Sequence, residues 1–103
     1  MSLSEAERLR TSRELQDNLA LSGLTTTQVA ADLRYSLSRL EATLGLAGGN
    51  DPADVWQLRD YLEQVVRDTG GEPSPFTVLT ESSRSAAQVW FHLRPAPRRG
   101  ATR

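Results

Sequence analysis

Residues 24–44, LTTTQVAADLRYSLSRLEATL, constrain the fold of this chain more than any other stretch. They read as two short helices joined by a tight turn, in the pattern of a helix-turn-helix. Val29, Ala30, Leu33 and Leu40 fall where that motif needs small and apolar packing residues. A small side chain at Ala30 lets two helices cross closely, and Leu33 and Leu40 bury against each other and a third helix. Thr25 and Gln28 form a capping pair for the first of these helices, about 26–33. Arg34 and Tyr35 make the turn, Ser36 caps the second helix, about 37–44, and Gly45 closes it. In the usual register Ser36, Leu37, Ser38, Glu41 and Ala42 face a DNA groove, while Thr26 and Thr27 meet phosphates. Arg34 and Arg39 are placed to reach the backbone. The DNA-contact candidates are therefore Thr26, Thr27, Arg34, Ser36, Ser38 and Arg39. Leu37 and Glu41 oppose that reading, because a carboxylate there faces a polyanion. The expected function is a small DNA-binding regulator. The alternative is a protein–protein interaction module that uses the scaffold without touching nucleic acid.

The flanking segments fill out a mainly α fold. Ser4 and Glu7 form a capping box for a first helix over about 4–22, with Leu3 as a staple and Gly23 as a left-handed cap. Ala6, Leu9, Leu15, Leu19 and Ala20 make its apolar stripe, with Ser12 and Gln16 inside it. Gly45 to Asn50 reads as a flexible hinge. Asp51 as N-cap and Pro52 at the first helical position start a fourth helix over about 52–69, ended by Gly70-Gly71. Its stripe of Val55, Leu58, Tyr61, Leu62, Val65 and Val66 spans roughly 140° at 100° per residue. Arg59–Glu63 and Glu63–Arg67 are i,i+4 ion pairs expected on the outer side. Trp56 lies about 80° off that stripe, either packed under the C-terminal strands or at a partner interface.

Beyond the fourth helix, Pro73 and Pro75 enforce an extended path. Phe76 to Leu79 reads as a strand, and Val89, Phe91 and Leu93 alternate with Trp90 and His92 as a second one, about 89–93. Residues 80–88 form either a long hairpin loop or one helical turn at Ser83–Ala87. The expected fold is a trihelical helix-turn-helix unit, a longer fourth helix and a small C-terminal β-hairpin, in one domain over 1–93. A disordered basic tail follows over 94–103.

Charge bears on the choice between the two functions. All twelve basic residues are arginine, and four of them lie in the last ten positions. Positions 1–93 hold eight arginines against thirteen acids, a net of −5. A mildly acidic body meets a phosphate backbone poorly except through its tail. No cysteine is present and His92 is the lone histidine, which excludes a thiolate zinc cluster. Gly48-Gly49 lacks the strand–loop–helix context and the lysine of a phosphate loop. No enzyme, metal or cofactor site is expected. No apolar run is long enough to span a membrane, which points to a cytoplasmic protein. A homodimer is expected, with Trp56, Tyr61, Trp90 and Phe91 as interface candidates, because one small core cannot hide every aromatic.

The segments LQDNLALSGLTTTQVAADL, DVWQLRDYLEQVV, EPSPFTVLT and VWF, in this order and spacing, resemble the uncharacterised bacterial family called domain of unknown function 2316. The resemblance covers about residues 1–93. It implies a compact, helix-turn-helix-like bacterial cytosolic protein, and it brings no catalytic residue with it.

Overall fold

The computed structural model describes residues 3–46 and 51–97, the side chain of Trp90 excepted. Five helices follow one another: α1 (Glu5–Ser22), α2 (Thr26–Leu33), α3 (Leu37–Gly45), α4 (Pro52–Asp68) and α5 (Glu81–Trp90). Local capping chemistry sets each start. Ser4 Oγ accepts from the Glu7 N–H at 3.1 Å while Glu7 accepts from the Ser4 N–H at 2.9 Å. Thr25 and Gln28 repeat that exchange ahead of α2, at 3.1 and 2.8 Å. Ser36 and Asp51 cap α3 and α4. Gly23 ends α1 at φ 72°. At the end of α3 the left-handed residue is Leu46, at φ 46°, and Gly45 remains helical. The rest of the expected hinge, 47–50, lies outside the described residues.

α4 is the centre of the molecule. α1 and α3 both pack on it, α1 also packs on α3, and α2 packs on α3. The whole expected stripe of α4 is buried, with Leu58, Tyr61 and Leu62 fully so beside Leu15, Val29 and Leu40. Burial runs further round α4 than the stripe. Trp56 and Arg59 are each 5 % exposed, so the Arg59–Glu63 and Glu63–Arg67 pairs form beside a covered arginine. What covers them is the C-terminal part of the chain.

α1 departs from expectation in the opposite sense. Leu15 is fully buried, but Ala6, Leu9 and Ala20 face water, and the inner face is made of Thr11, Ser12, Glu14, Asn18 and Ser22. The reason lies in what this face meets. Asn18 Nδ2 donates to the Ser74 carbonyl at 3.0 Å, and Asn18 Oδ1 accepts from the Ser74 N–H at 3.0 Å. Glu14 accepts from the Thr77 N–H at 3.0 Å and from its hydroxyl at 2.6 Å. An extended segment with no neighbouring strand carries orphan backbone groups, and polar side chains from α1 satisfy them. Ser12 plays a related part, its hydroxyl donating to the Leu44 carbonyl at 2.7 Å near the end of α3.

The expected C-terminal hairpin does not form: no strand occurs among the described residues. Residues 76–79 are irregular: Glu14 takes the N–H and hydroxyl of Thr77, the Ser83 hydroxyl donates to the Val78 carbonyl at 2.8 Å, and Arg59 donates to the Leu79 carbonyl at 3.1 Å. Residues 81–90 are helical, capped by Thr80, whose hydroxyl accepts from the Ser83 N–H at 3.2 Å. The alternation of Val89, Trp90, Phe91, His92 and Leu93 thus straddles the end of a helix. Its last members continue as an extended strap. Leu93 and Ala96 of that strap pack against the core. Arg94 binds Asp54, and Gln57 Nε2 donates to the Pro95 carbonyl at 2.9 Å. The expected disordered tail therefore does not start at 94; its remainder, 98–103, lies outside the described residues.

Candidate functional site

The α2–α3 turn is held by its own backbone hydrogen bonds in a conformation rare for a side-chain-bearing residue. Arg34 occupies it at φ 62°, ψ 39°, a left-handed conformation that glycine adopts at no steric cost. The turn holds because the Arg34 and Tyr35 N–H groups donate to the Ala31 and Ala30 carbonyls, at 3.2 and 2.9 Å. Ala30 is buried at the crossing, as its small size requires. Tyr35 turns inward. Its hydroxyl donates to Gln57 Oε1 at 2.8 Å, and burial, with Asp54 nearby, pushes its pKa up to about 12.

Arg39 is not available in the way the sequence suggests. Its Nε and Nη2 donate to the two carboxylate oxygens of Asp54 at 2.8 and 2.6 Å, and its guanidinium stacks 3.9 Å over the Tyr35 ring. Arg94 binds the same carboxylate from the strap. The hydrogen bond from Arg39 holds the Asp54 carboxyl below its usual range against the opposing effect of burial, and the bond from Arg94 adds to it. One buried acid thus ties α3, α4 and the strap together.

What remains outward on α3 is Leu37, Ser38, Glu41 and Ala42, which share one face at helical spacing. Thr27 and Arg34 are exposed, Thr26 is half-buried, and the Ser36 hydroxyl is occupied as an N-cap, accepting from the Arg39 N–H at 3.1 Å. Of the six DNA-contact candidates, then, only Arg34 presents a cation clear of the Asp54 cluster.

The interface candidates also divide. Trp56 and Tyr61 lie inside the chain, at 5 % and 0 % exposure, and Tyr61 donates its hydroxyl to Asp32. Phe91 is half-buried, His92 is exposed, and the side chain of Trp90 lies outside the described set. Trp56 takes the intramolecular option: Arg84 of α5 stacks on it at 4.8 Å and Arg59 at 5.8 Å, with Arg59 also 4.7 Å over Phe76. Asp60 and Glu81 close this cluster by pairing with Arg84, and Asp60, the larger influence, holds that guanidinium more firmly charged. The sequence signal for it was Trp56 off its stripe with Arg59 alongside. The residue missed was Arg84, which fell in a stretch that reads as either a hairpin loop or a single helical turn.

Among the described residues no His, Cys, Asp or Glu group has the arrangement of a metal site, and no helix is long and apolar enough to cross a membrane. An open polar depression lies between the end of α4 and Gly71–Pro75, lined by Glu63, Arg67 and Glu72. The chain belongs to the family described as Uncharacterized protein conserved in bacteria (DUF2316), which matches residues 1–92. Neither the curated proteins nor the solved structures contain a match to it.

Proposed function

We propose that this member of the DUF2316 family is a protein-interaction module that offers the outer face of α3 to a partner protein. The observation that carries the reading is the make-up of that face. Leu37, Ser38, Glu41 and Ala42 are turned outward, while Arg39, the one arginine of α3, is engaged by Asp54 and Tyr35. Non-specific DNA affinity scales with the number of phosphates neutralised. A helix showing an apolar residue and a carboxylate supplies little of that term, and it suits a protein surface with a central apolar anchor.

The DNA-binding regulator remains the second reading. It is favoured by the three-residue turn between α2 and α3, which leaves Thr27, Arg34 and Ser38 exposed in helix-turn-helix order. A mobility shift at about 50 mM salt separates the two. Non-specific DNA binders show dissociation constants of roughly 10⁻⁴–10⁻⁶ M. The interaction module gives no retarded band at protein concentrations of about 10⁻⁴ M. A salt-sensitive band that Arg34→Ala abolishes would overturn it in favour of the regulator. In the positive arm, a photo-reactive residue at Ser38 yields discrete protein adducts in bacterial lysate, and Leu37→Asp removes them.

A further inference from the structure

α1 carries most of its apolar residues on the wrong side for a core helix, Leu15 and Leu19 apart. Its inner face is largely polar, while Ala6, Leu9, Ala20 and Leu21 stand outside, Leu9 at 68 % and Leu21 at 51 % exposure. Arg10, Arg13 and Asp17 share that outer face. We infer that the outer face of α1 pairs with α1 of a second copy of this chain, antiparallel, about a two-fold axis beside Arg13.

Charge complementarity selects this occupant. Arg10 and Asp17 are seven residues apart, two helical turns and about 10.5 Å along one side of the helix. In an antiparallel pair centred between Arg13 and Glu14, Arg10 stands opposite Asp17 of the partner subunit, and the symmetry makes this ion pair twice. The same centre sets Ala6 opposite Leu21 of the partner subunit and brings Leu9 beside Ala20 of the partner subunit. Each exposed leucine thus meets an alanine, which lets the helices approach closely. The antiparallel axis sets Arg13 beside Arg13 of the partner subunit, one like-charge contact that a parallel pair shares. The parallel pair would in addition oppose Arg10 to Arg10 and Asp17 to Asp17, so the charges favour the antiparallel arrangement. An isologous contact needs a self-complementary patch, and this spacing of two charges and two small residues supplies one.

The contact is small. A helix of 18 residues is about 27 Å long. A single pair of such helices falls short of the roughly 1,200 Å² of a standard stable interface, so the dimer is a weak, concentration-dependent one. This interface also differs from the one the aromatic residues suggested, since Trp56 and Tyr61 are interior to one chain. The inference is independent of what α3 binds.

Sedimentation equilibrium on the full chain, from about 5 to 500 µM at low salt, tests it. The mass rises from 11.4 kDa towards twice that value. Arg10→Asp and Asp17→Arg each weaken association at least about tenfold, the equivalent of about 1.4 kcal/mol. The double swap Arg10→Asp/Asp17→Arg restores it to within about threefold of the parent, because the opposed charges are again unlike. Both side-chain positions of the test are exposed, and unchanged circular dichroism and thermal midpoints confirm folded variants. A mass fixed at 11.4 kDa at the highest concentration overturns the inference. So do single swaps that associate like the parent, and a double swap as weak as the singles.

Discussion

α1 and α4 are nearly equal in length and pack on one another, yet they are built on opposite plans. α4 buries ten of its seventeen residues, because helices and the C-terminal segments surround it. α1 buries a polar face, because part of what lies against it is bare backbone. The contrast teaches that an inward-facing position is apolar only when its neighbour is apolar. Where the neighbour is an extended chain without a sheet, hydrogen-bonding side chains serve the interior better.

The sharpest way to break this comparison is to truncate each face in turn, reading stability by urea unfolding. Leu58→Ala on α4 removes a fully buried side chain between helices and should cost about 3 kcal/mol. A loss below about 1 kcal/mol would mean that α4 is not the centre of the core. Asn18→Ala on α1 leaves the N–H and carbonyl of Ser74 without partners and should cost about 2 kcal/mol. If it were neutral, the polar face of α1 would be incidental.

Two smaller effects sharpen the contrast at its edges. α4 has a polar end of its own at Asp54. With a carboxyl held below its unfolded value, Asp54 stabilises the fold above the ordinary carboxylate range and loses that contribution as pH falls through its folded value. Asp54→Asn should cost about 1 kcal/mol at neutral pH and flatten the acid limb of the stability curve. An acid limb parallel to that of the parent would remove Asp54 from it. Leu9→Ser, on the outward side of α1, should change the stability of the dilute chain by less than about 0.5 kcal/mol. A large loss there would put Leu9 back in a core.

How much of this was legible in the sequence follows from the range of the interactions. The caps at Ser4, Thr25, Ser36 and Asp51 were readable because donor and acceptor sit within a few residues of each other. The stripe of α4 was readable because most of its neighbours are helices. The inversion of α1 was not, since periodicity locates an apolar stripe and is silent about a backbone arriving some 56 residues later. The C-terminal misreading has the same root. Val89, Phe91 and Leu93 alternate well enough for a strand, but a strand needs a free neighbour, and Glu14 and Arg59 already satisfy residues 77 and 79. Thr80 and Ser83 held the competing signal, an N-cap that starts α5. At the candidate site the outward make-up of α3 was visible in Leu37 and Glu41. The capture of Arg39 was not, because Asp54 lies fifteen residues away.

The clamp of Asn18 and Glu14 on Ser74 and Thr77 also bears on how the chain assembles. These contacts join residues 56 and 63 positions apart, so on the ribosome α1 is complete long before its partner segment emerges. For that interval its inner face stands in water. Thr11, Ser12, Glu14 and Asn18 tolerate the wait, whereas a leucine-rich face of the same area would be sticky towards other nascent chains. The arrival of residues 74–77 then turns the Glu14 and Asn18 part of that face into an interior, and its polar side chains need no protection beforehand.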